Sequence, residues 1–80
     1  MDVKDLVAKR FNELCAEKSM TINQLANLSG VTPSTAYSMM NKDRRDISIR
    51  TIKKFCDGLD VTLSEFFNTD DFNNLEQEIK

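Results

Sequence analysis

Residues 42–54 hold a concentration of basic side chains that could bind an anionic polymer. Asp43 and Asp46 stand against six basic residues, which give the stretch a local net charge of +4: Lys42, Arg44, Arg45, Arg50, Lys53 and Lys54. Residues 57–80 have the opposite balance, seven acidic residues against Lys80 and a local net charge of −6. Salt screens charges beyond about 8 to 10 Å, so an acidic end directed away from a basic face permits binding to phosphates. Residues 41–47 form the predicted basic loop, for which an ordinary solvated loop is the alternative interpretation.

Other kinds of chemistry find little support in the residue types. The chain has no histidine, and Cys15 and Cys56 lie far apart without the spacing of metal ligands. It has no Gly-rich phosphate loop or Ser/His/Asp set, and its carboxylates are scattered. We therefore expect no catalytic, cofactor-binding or metal-binding residues, and the chain is not expected to be an enzyme. Both cysteines are expected to be reduced and packed in the core.

Small polar side chains cluster in the segment from Ile22 to Asn41, whose pattern is typical of a helix, a tight turn and a second helix. Ala26 supplies a small residue where two helix axes approach, and Gly30 can adopt a positive φ in the turn. Thr32 is a good N-cap, and Pro33 follows at the first helical position. This predicts a third helix over about 33–40. The small core beneath the pair is expected to contain Leu25, Val31, Ala36 and Met39.

The elements around this segment are predicted to be helical too, since 40% of the 80 residues are hydrophobic and only two glycines and one proline interrupt them. The first helix is predicted to start at Asp2 and end near Lys18-Ser19, with an apolar stripe and with Lys4, Lys9 and Arg10 mostly off it. The stripe contains Val3, Leu6, Val7, Phe11, Leu14 and Cys15. A capping box at Thr21 opens the second helix, whose buried side is predicted to include Leu25, Ala26 and Leu28.

Two further helices are predicted after the basic stretch. Ser48 is a plausible cap for the fourth, and Gly58 or Asp60 marks its end; Ile49, Ile52, Phe55, Cys56 and Leu59 share its apolar face. A second capping box, Thr62 to Glu65, opens a short fifth helix. Residues 1–69 would form one domain, and residues 70–80 an acidic tail or a short additional helix on which Phe72, Leu75 and Ile79 share a face.

Taken together, these features resemble the Cro and phage-repressor type of helix-turn-helix regulators, also called the xenobiotic-response-element family. The resemblance covers roughly residues 6–67 and depends on Leu25-Ala26, Gly30-Val31, Thr32, the apolar helix from Ile52 to Leu59 and the closing turn from Leu63 to Phe67. It implies an all-α, compact five-helix, lambda-repressor-like DNA-binding domain whose third helix lies in the major groove.

The resemblance also implies the residues that contact DNA. The base-facing positions would be Pro33, Ser34, Thr35, Tyr37 and Ser38. Phosphate contacts would come from the start of the second helix, the cap of the third and the basic loop: Thr21, Asn23, Thr32, Asn41, Lys42, Arg44, Arg45 and Arg50. Family members commonly have a glycine after the asparagine where this chain has Lys42, and Asn41 could itself take the left-handed conformation that the helix end requires.

The function that follows is that of a sequence-specific regulator of transcription, most simply a repressor, that binds double-stranded DNA as a homodimer. The alternative is a helix-turn-helix-derived module that binds another protein, as an antirepressor or antitoxin would, without operator recognition. The apolar residues near the C-terminus could cover the domain's own core or form the dimer face: Phe66, Phe67, Phe72, Leu75 and Ile79. The absence of a signal peptide or apolar span predicts a cytoplasmic protein, associated with the nucleoid of a bacterium when bound, with no membrane contact and no small-molecule substrate.

Overall fold

The computed structural model describes residues 2–41, 43, 46–77 and 79, and it is built from α-helices joined by short connections. In chain order these are α1 (Val3–Glu17), α2 (Ile22–Ser29), α3 (Pro33–Met40), α4 (Ile49–Leu59), α5 (Leu63–Phe67) and α6 (Asp70–Asn73). No strand occurs in the described part of the chain. The predicted all-α class is confirmed, and α6 is an additional short helix after the five that were expected. None of the helices in the described ranges is long and apolar enough to cross a bilayer.

Each helix begins at a residue whose side-chain oxygen accepts a hydrogen bond from a backbone N–H of the first turn. Three of these starts are reciprocal capping boxes, formed by Asp2 with Asp5, Thr21 with Gln24 and Thr62 with Glu65. Such caps satisfy N–H groups that have no partner inside the helix, and each contributes about 1 kcal/mol. The N-cap residues are Asp2, Thr21, Thr32, Ser48, Thr62 and Thr69. The predicted starts of α1 to α5 are therefore confirmed.

An aromatic cluster lies at the centre of the core. Phe11 of α1 contacts Phe55 of α4 and Phe66 of α5, with ring centroids 5.2 and 4.4 Å apart, and all three rings are fully buried. Cys15 and Cys56 are free and buried in the same core, as predicted. Burial raises the pKa of both thiols, and that of Cys56 to about 11 with a further contribution from the Asp57 carboxylate.

Basic residues of α1 connect this core to the C-terminal helices. The Arg10 guanidinium donates from Nε to the carbonyl oxygen of Phe66 at 2.8 Å and from Nη2 to that of Glu65 at 3.1 Å, so it caps the carbonyl end of α5. Lys9 pairs with Asp71 of α6, with 2.9 Å between Nζ and Oδ2. These residues hold α5 and α6 against α1 although their charges lie outside the apolar core.

Three apolar residues that were predicted to be buried are exposed. Leu28 is 64% exposed because Leu25, Ala26 and Ser29 centre the inner face of α2, and Leu28 projects about 100° away from it at the angular step of a helix. Ile49 is 62% exposed at the first position of α4, one turn before the helix reaches the core. Val3 is likewise the first residue of α1 and is 44% exposed.

The C-terminal segment differs from its prediction in two ways. The helix predicted over residues 71–79 is only Asp70–Asn73, and among the residues after it Leu75 is half-buried while Ile79 is 90% exposed. Phe66 is fully buried, which excludes it from a dimer face. Phe67 and Phe72 pack partly against the same core, edge to face with centroids 4.9 Å apart. The aromatic residues thus complete the domain's own core, and only their outer edges remain accessible.

Candidate nucleic-acid interface

A tight turn after α2 sets the direction of α3. Gly30 has φ 68° and ψ 28°, the left-handed conformation that glycine adopts without steric cost. The N–H of Val31 donates to the carbonyl oxygen of Ala26 at 2.9 Å, which satisfies one of the last carbonyls of α2. The chain then turns into the Thr32 cap. The glycine turn predicted from the sequence is confirmed.

The inner face of the helix pair is anchored in the core. Leu25 and Ala26 of α2 are fully buried, Ala36 and Met39 of α3 are 1% and 2% exposed, and Val31 of the turn is 8% exposed. α3 packs against both α2 and α1. An eight-residue helix is marginal alone, so this packing is what holds α3 in place. The predicted core beneath the pair is confirmed in all its members.

The outer face of α3 is open to solvent. Pro33, Ser34 and Thr35 are exposed, and Tyr37 is 71% exposed. Ser38 lies at the edge of this face and is half-buried. The five residues predicted to face bases therefore share one helix, and four of them lie on its exposed surface. All of them except Pro33 carry a hydroxyl group, which can both donate and accept hydrogen bonds, as base edges require.

The hydroxyl groups at the starts of α2 and α3 are partly engaged by the caps. Thr21 Oγ1 accepts from the N–H of Gln24 at 3.1 Å and Thr32 Oγ1 from that of Thr35 at 3.3 Å. Thr32 Oγ1 also lies 3.0 Å from Thr35 Oγ1, so one of these two hydroxyls donates to the other. Asn23 is exposed in the first turn of α2. At the start of each of these eight-residue helices, the first backbone N–H groups lie beside exposed polar side chains. This arrangement is suited to binding an anion.

The segment after α3 contains the basic loop. Asn41 is half-buried, and its side-chain Oδ1 accepts from the N–H of Asp43 at 2.9 Å. Its φ of −79° and ψ of 123° are extended, so the left-handed conformation considered for Asn41 is wrong. Arg50 is exposed in the first turn of α4. The predicted phosphate contacts Lys42, Arg44 and Arg45 lie outside the described residues.

Comparison with known proteins decides which family this arrangement represents. The sequence profile of the Cro/C1-type helix-turn-helix DNA-binding domain matches residues 10–71, from α1 through α6. The chain belongs to this family.

Two relatives of this Cro/C1-type domain come from prophages. The chain is 31% identical over 55 residues to the SPbeta prophage-derived uncharacterized HTH-type transcriptional regulator YopS of Bacillus subtilis (strain 168), over 69% of this chain and 74% of the relative. It also resembles the crystal structure of the prophage Lp1 protein 11, with a TM-score of 0.85 and 28% sequence identity over 92% of this chain and 97% of that one. The likeness to that structure therefore extends over most of the chain.

One residue of this Cro/C1-type domain that sequence reasoning missed lies beneath its interface. Lys4 is only 4% exposed, and its Nζ donates to the backbone carbonyl oxygen of Asn41 at the end of α3. The spacing contained a signal for this placement, since Lys4, Val7, Phe11 and Leu14 recur every three or four residues on one face. A lysine on an apolar stripe must find a partner for its ammonium group, and that partner here is the end of α3.

Proposed function

We propose that this Cro/C1-type domain binds specific sequences of double-stranded DNA and regulates transcription, most simply as a repressor, with α3 in the major groove. The observation that carries the proposal is the division of α3: Ala36 and Met39 are buried, whereas Ser34, Thr35 and Tyr37 face solvent with polar groups. A helix held from behind and polar in front can enter a groove about 12 Å wide. The Bacillus subtilis relative is named as a transcriptional regulator, which agrees with this role.

Base recognition in this proposal comes from hydroxyl groups instead of amide or guanidinium groups. Ser34, Thr35 and Ser38 can each bond to several bases, and none makes the bidentate contact by which Arg or Asn selects a single base. Sequence-dependent shape and flexibility of the duplex would then contribute a large part of the specificity. Affinity would come mainly from phosphate contacts of the caps and the basic loop, made by Thr21, Asn23, Thr32, Asn41, Lys42, Arg44, Arg45 and Arg50.

The proposed assembly is a homodimer on a palindromic operator, in the bacterial cytoplasm. Two copies of α3 would enter successive major grooves about one helical turn apart. With Phe66 buried, the remaining candidates for the dimer face are Phe67, Phe72, Leu75 and Ile79, of which Ile79 is the most exposed. Light scattering on the wild-type protein and on Leu75→Asp tests this face. A dimer that dissociates in the variant supports it, and an unchanged dimer would show that the dimer contact lies elsewhere.

A protein-binding role is the second candidate, and a specific observation favours it. Leu28, Tyr37 and Ile49 expose more than half of their surfaces, and the chain as a whole is acidic, whereas DNA-binding domains are usually basic. Salt dependence separates the two roles. A domain that neutralises several phosphates loses affinity steeply as salt rises, with a slope of about −0.9 per phosphate contact.

The experiment that tests the proposed function is selection of bound duplexes from a random DNA library, followed by sequencing. Enrichment of a two-fold symmetric motif would establish operator recognition, a dimer and the half-site spacing together. The same selection with Ser34→Ala should alter base preference at one or two positions if α3 lies in the groove. No enrichment by a folded sample would reject the proposal in favour of protein binding.

A further inference from the structure

A hydrogen bond joins Lys4, in the first turn of α1, to Asn41, the C-cap residue of α3, which lies 37 positions later in the sequence. Lys4 is 4% exposed, the least exposed charged residue of the described chain, and its ammonium group donates to the carbonyl oxygen of Asn41. An ammonium group without a hydrogen-bond partner is strongly disfavoured in a protein interior, so the burial of Lys4 requires this hydrogen bond. The hydrogen bond thus links the position of α1 to that of the α3 terminus.

The carbonyl end of α3 has few backbone hydrogen bonds, although the side chain of Met39 anchors the last turn in the core. Helices commonly close with a left-handed glycine, but Asn41 is extended, and its N–H reaches only the carbonyl oxygen of Ser38 at a long 3.4 Å. α3 also has no basic residue in its own last turn to complement the partial negative charge of its carbonyl end. The ammonium group of Lys4 supplies both a donor and a positive charge at this point.

We propose that Lys4 is a positioning residue for DNA recognition, which fixes the end of α3 and the start of the basic loop; this rests on the proposed function. Asn41 connects the end of α3 to the start of the basic loop, because its carbonyl oxygen accepts a hydrogen bond from Lys4 while its Oδ1 accepts one from the N–H of Asp43. Loss of the ammonium group loosens the carbonyl end of α3, next to Tyr37 and Ser38, and the contact between Asn41 and Asp43. Displacements of about 1 Å are enough to weaken hydrogen bonds to base edges.

A buried positioning residue and a lysine that contacts DNA directly would change the salt dependence of affinity in different ways. Since the Lys4 ammonium is buried, it does not neutralise a phosphate, and its removal leaves the number of released counterions unchanged. Affinity for the selected operator therefore falls while the slope of log affinity against log salt stays the same. A lysine that bound phosphate would instead lower the slope by about one unit and weaken all duplexes alike.

The test compares Lys4→Met, which keeps an unbranched apolar stem but removes the terminal ammonium group, with Lys4→Arg and with Lys9→Met. Lys9 lies on the same helix, is exposed and pairs with Asp71, so its variant makes the same change of net charge away from α3. In Lys4→Met we expect the ratio of operator affinity to non-specific affinity to fall about tenfold, the effect of losing one hydrogen bond. The slope of log affinity against log salt should stay unchanged. Lys4→Arg should recover most of this ratio, and Lys9→Met should leave it unaltered.

Amide hydrogen exchange of the free protein separates this inference from the proposed function. Lys4→Met should accelerate exchange at the amides of Met40, Asn41 and Asp43, and Lys9→Met should not. If exchange there is unchanged, or if the salt slope falls by about one unit, Lys4 does not act by positioning. Wild-type protein that binds no duplex would end the proposed function together with the DNA role of Lys4, whereas the exchange data still show whether Lys4 holds α3. Should Lys4→Met fail to fold, NMR of the wild-type Lys4 ammonium decides: protons held by Asn41 exchange slowly, and solvated ones do not.

Discussion

Gly58 of α4 lies directly against Ser29 of α2. A Cβ atom on Gly58 would come within 2.2 Å of Ser29 Oγ and 3.1 Å of Leu25 Cδ1, so the two helices approach more closely than any larger residue allows. Ser29 Oγ is itself buried without a hydrogen-bond partner among the described residues. Glycine inside a helix normally costs about 1 kcal/mol relative to alanine. Its presence here is explained by the crossing of α2, the first helix of the helix-turn-helix, over α4.

The first prediction concerns this crossing. Gly58→Ala should lower the free energy of unfolding by about 1 to 3 kcal/mol in urea titrations, because the overlap with Ser29 outweighs the gain in helix propensity. Ser29→Ala alone should be close to neutral, since it removes a buried hydroxyl that has no partner.

The double variant is the control for that interpretation. With both alanines in place the 2.2 Å overlap is gone. The Cβ of residue 29, at 3.4 Å, is in ordinary contact, and Leu25 Cδ1 is the end of a flexible side chain that can shift. The free energy of unfolding of the double variant should therefore exceed the value expected from adding the two single effects by at least about 1 kcal/mol. Strictly additive effects would show that α2 and α4 are not in contact at Gly58.

The second prediction compares two left-handed residues that follow helices, Gly30 after α2 and Asp60 after α4. Gly30→Ala should destabilise the protein by about 1 to 2 kcal/mol through backbone strain alone, because no atom lies within 4 Å of the added Cβ. Asp60, with φ 59°, already bears this strain, so Asp60→Gly should raise the melting temperature. Calorimetry of both variants checks the opposite signs. Two shifts of the same sign would contradict the left-handed assignment at one of the turns.

The third prediction concerns the cysteines. The thiolate is the reactive form, and burial raises the pKa of both thiols, that of Cys56 to about 11, so both are protonated at neutral pH. In the native protein iodoacetamide should react at least about a thousandfold more slowly than in urea, as expected if labelling requires unfolding at a stability near 5 kcal/mol. Mass spectrometry follows the labelling. Rapid modification of the native protein at pH 8 would contradict the burial of one of the thiols.

Much of the fold could be predicted because its information is local. N-cap hydroxyls at Thr21, Thr32 and Thr62, the proline at Pro33 and the glycine at Gly30 each determine backbone geometry within a few residues of themselves. Helix boundaries were therefore close to those observed. The family resemblance depended in part on two of these positions, Thr32 and Gly30.

What could not be predicted depends on contacts between elements. The burial of Lys4 requires a carbonyl oxygen from the end of α3, the exposure of Leu28 depends on which side of α2 meets α4, and the burial of Phe66 depends on Phe11. No local pattern specifies such partners. The same limit applies to the candidate site: the sequence indicates that Ser34 and Tyr37 share a helix, and only packing shows that their face points outward.

The last prediction tests the basic loop through Arg44 and Arg45, which lie outside the described residues. Replacing both with alanine should weaken binding to every duplex alike and flatten the slope of log affinity against log salt by up to about two units, because two phosphate contacts are lost. The matched control removes two exposed positive charges elsewhere, Lys9→Ala with Lys18→Ala, on α1 and just after it. The control should change the slope much less, since long-range charge effects are screened. Equal slopes for the two variants would mean that total charge, and not the loop, governs binding, and the loop would then have no part in the interface.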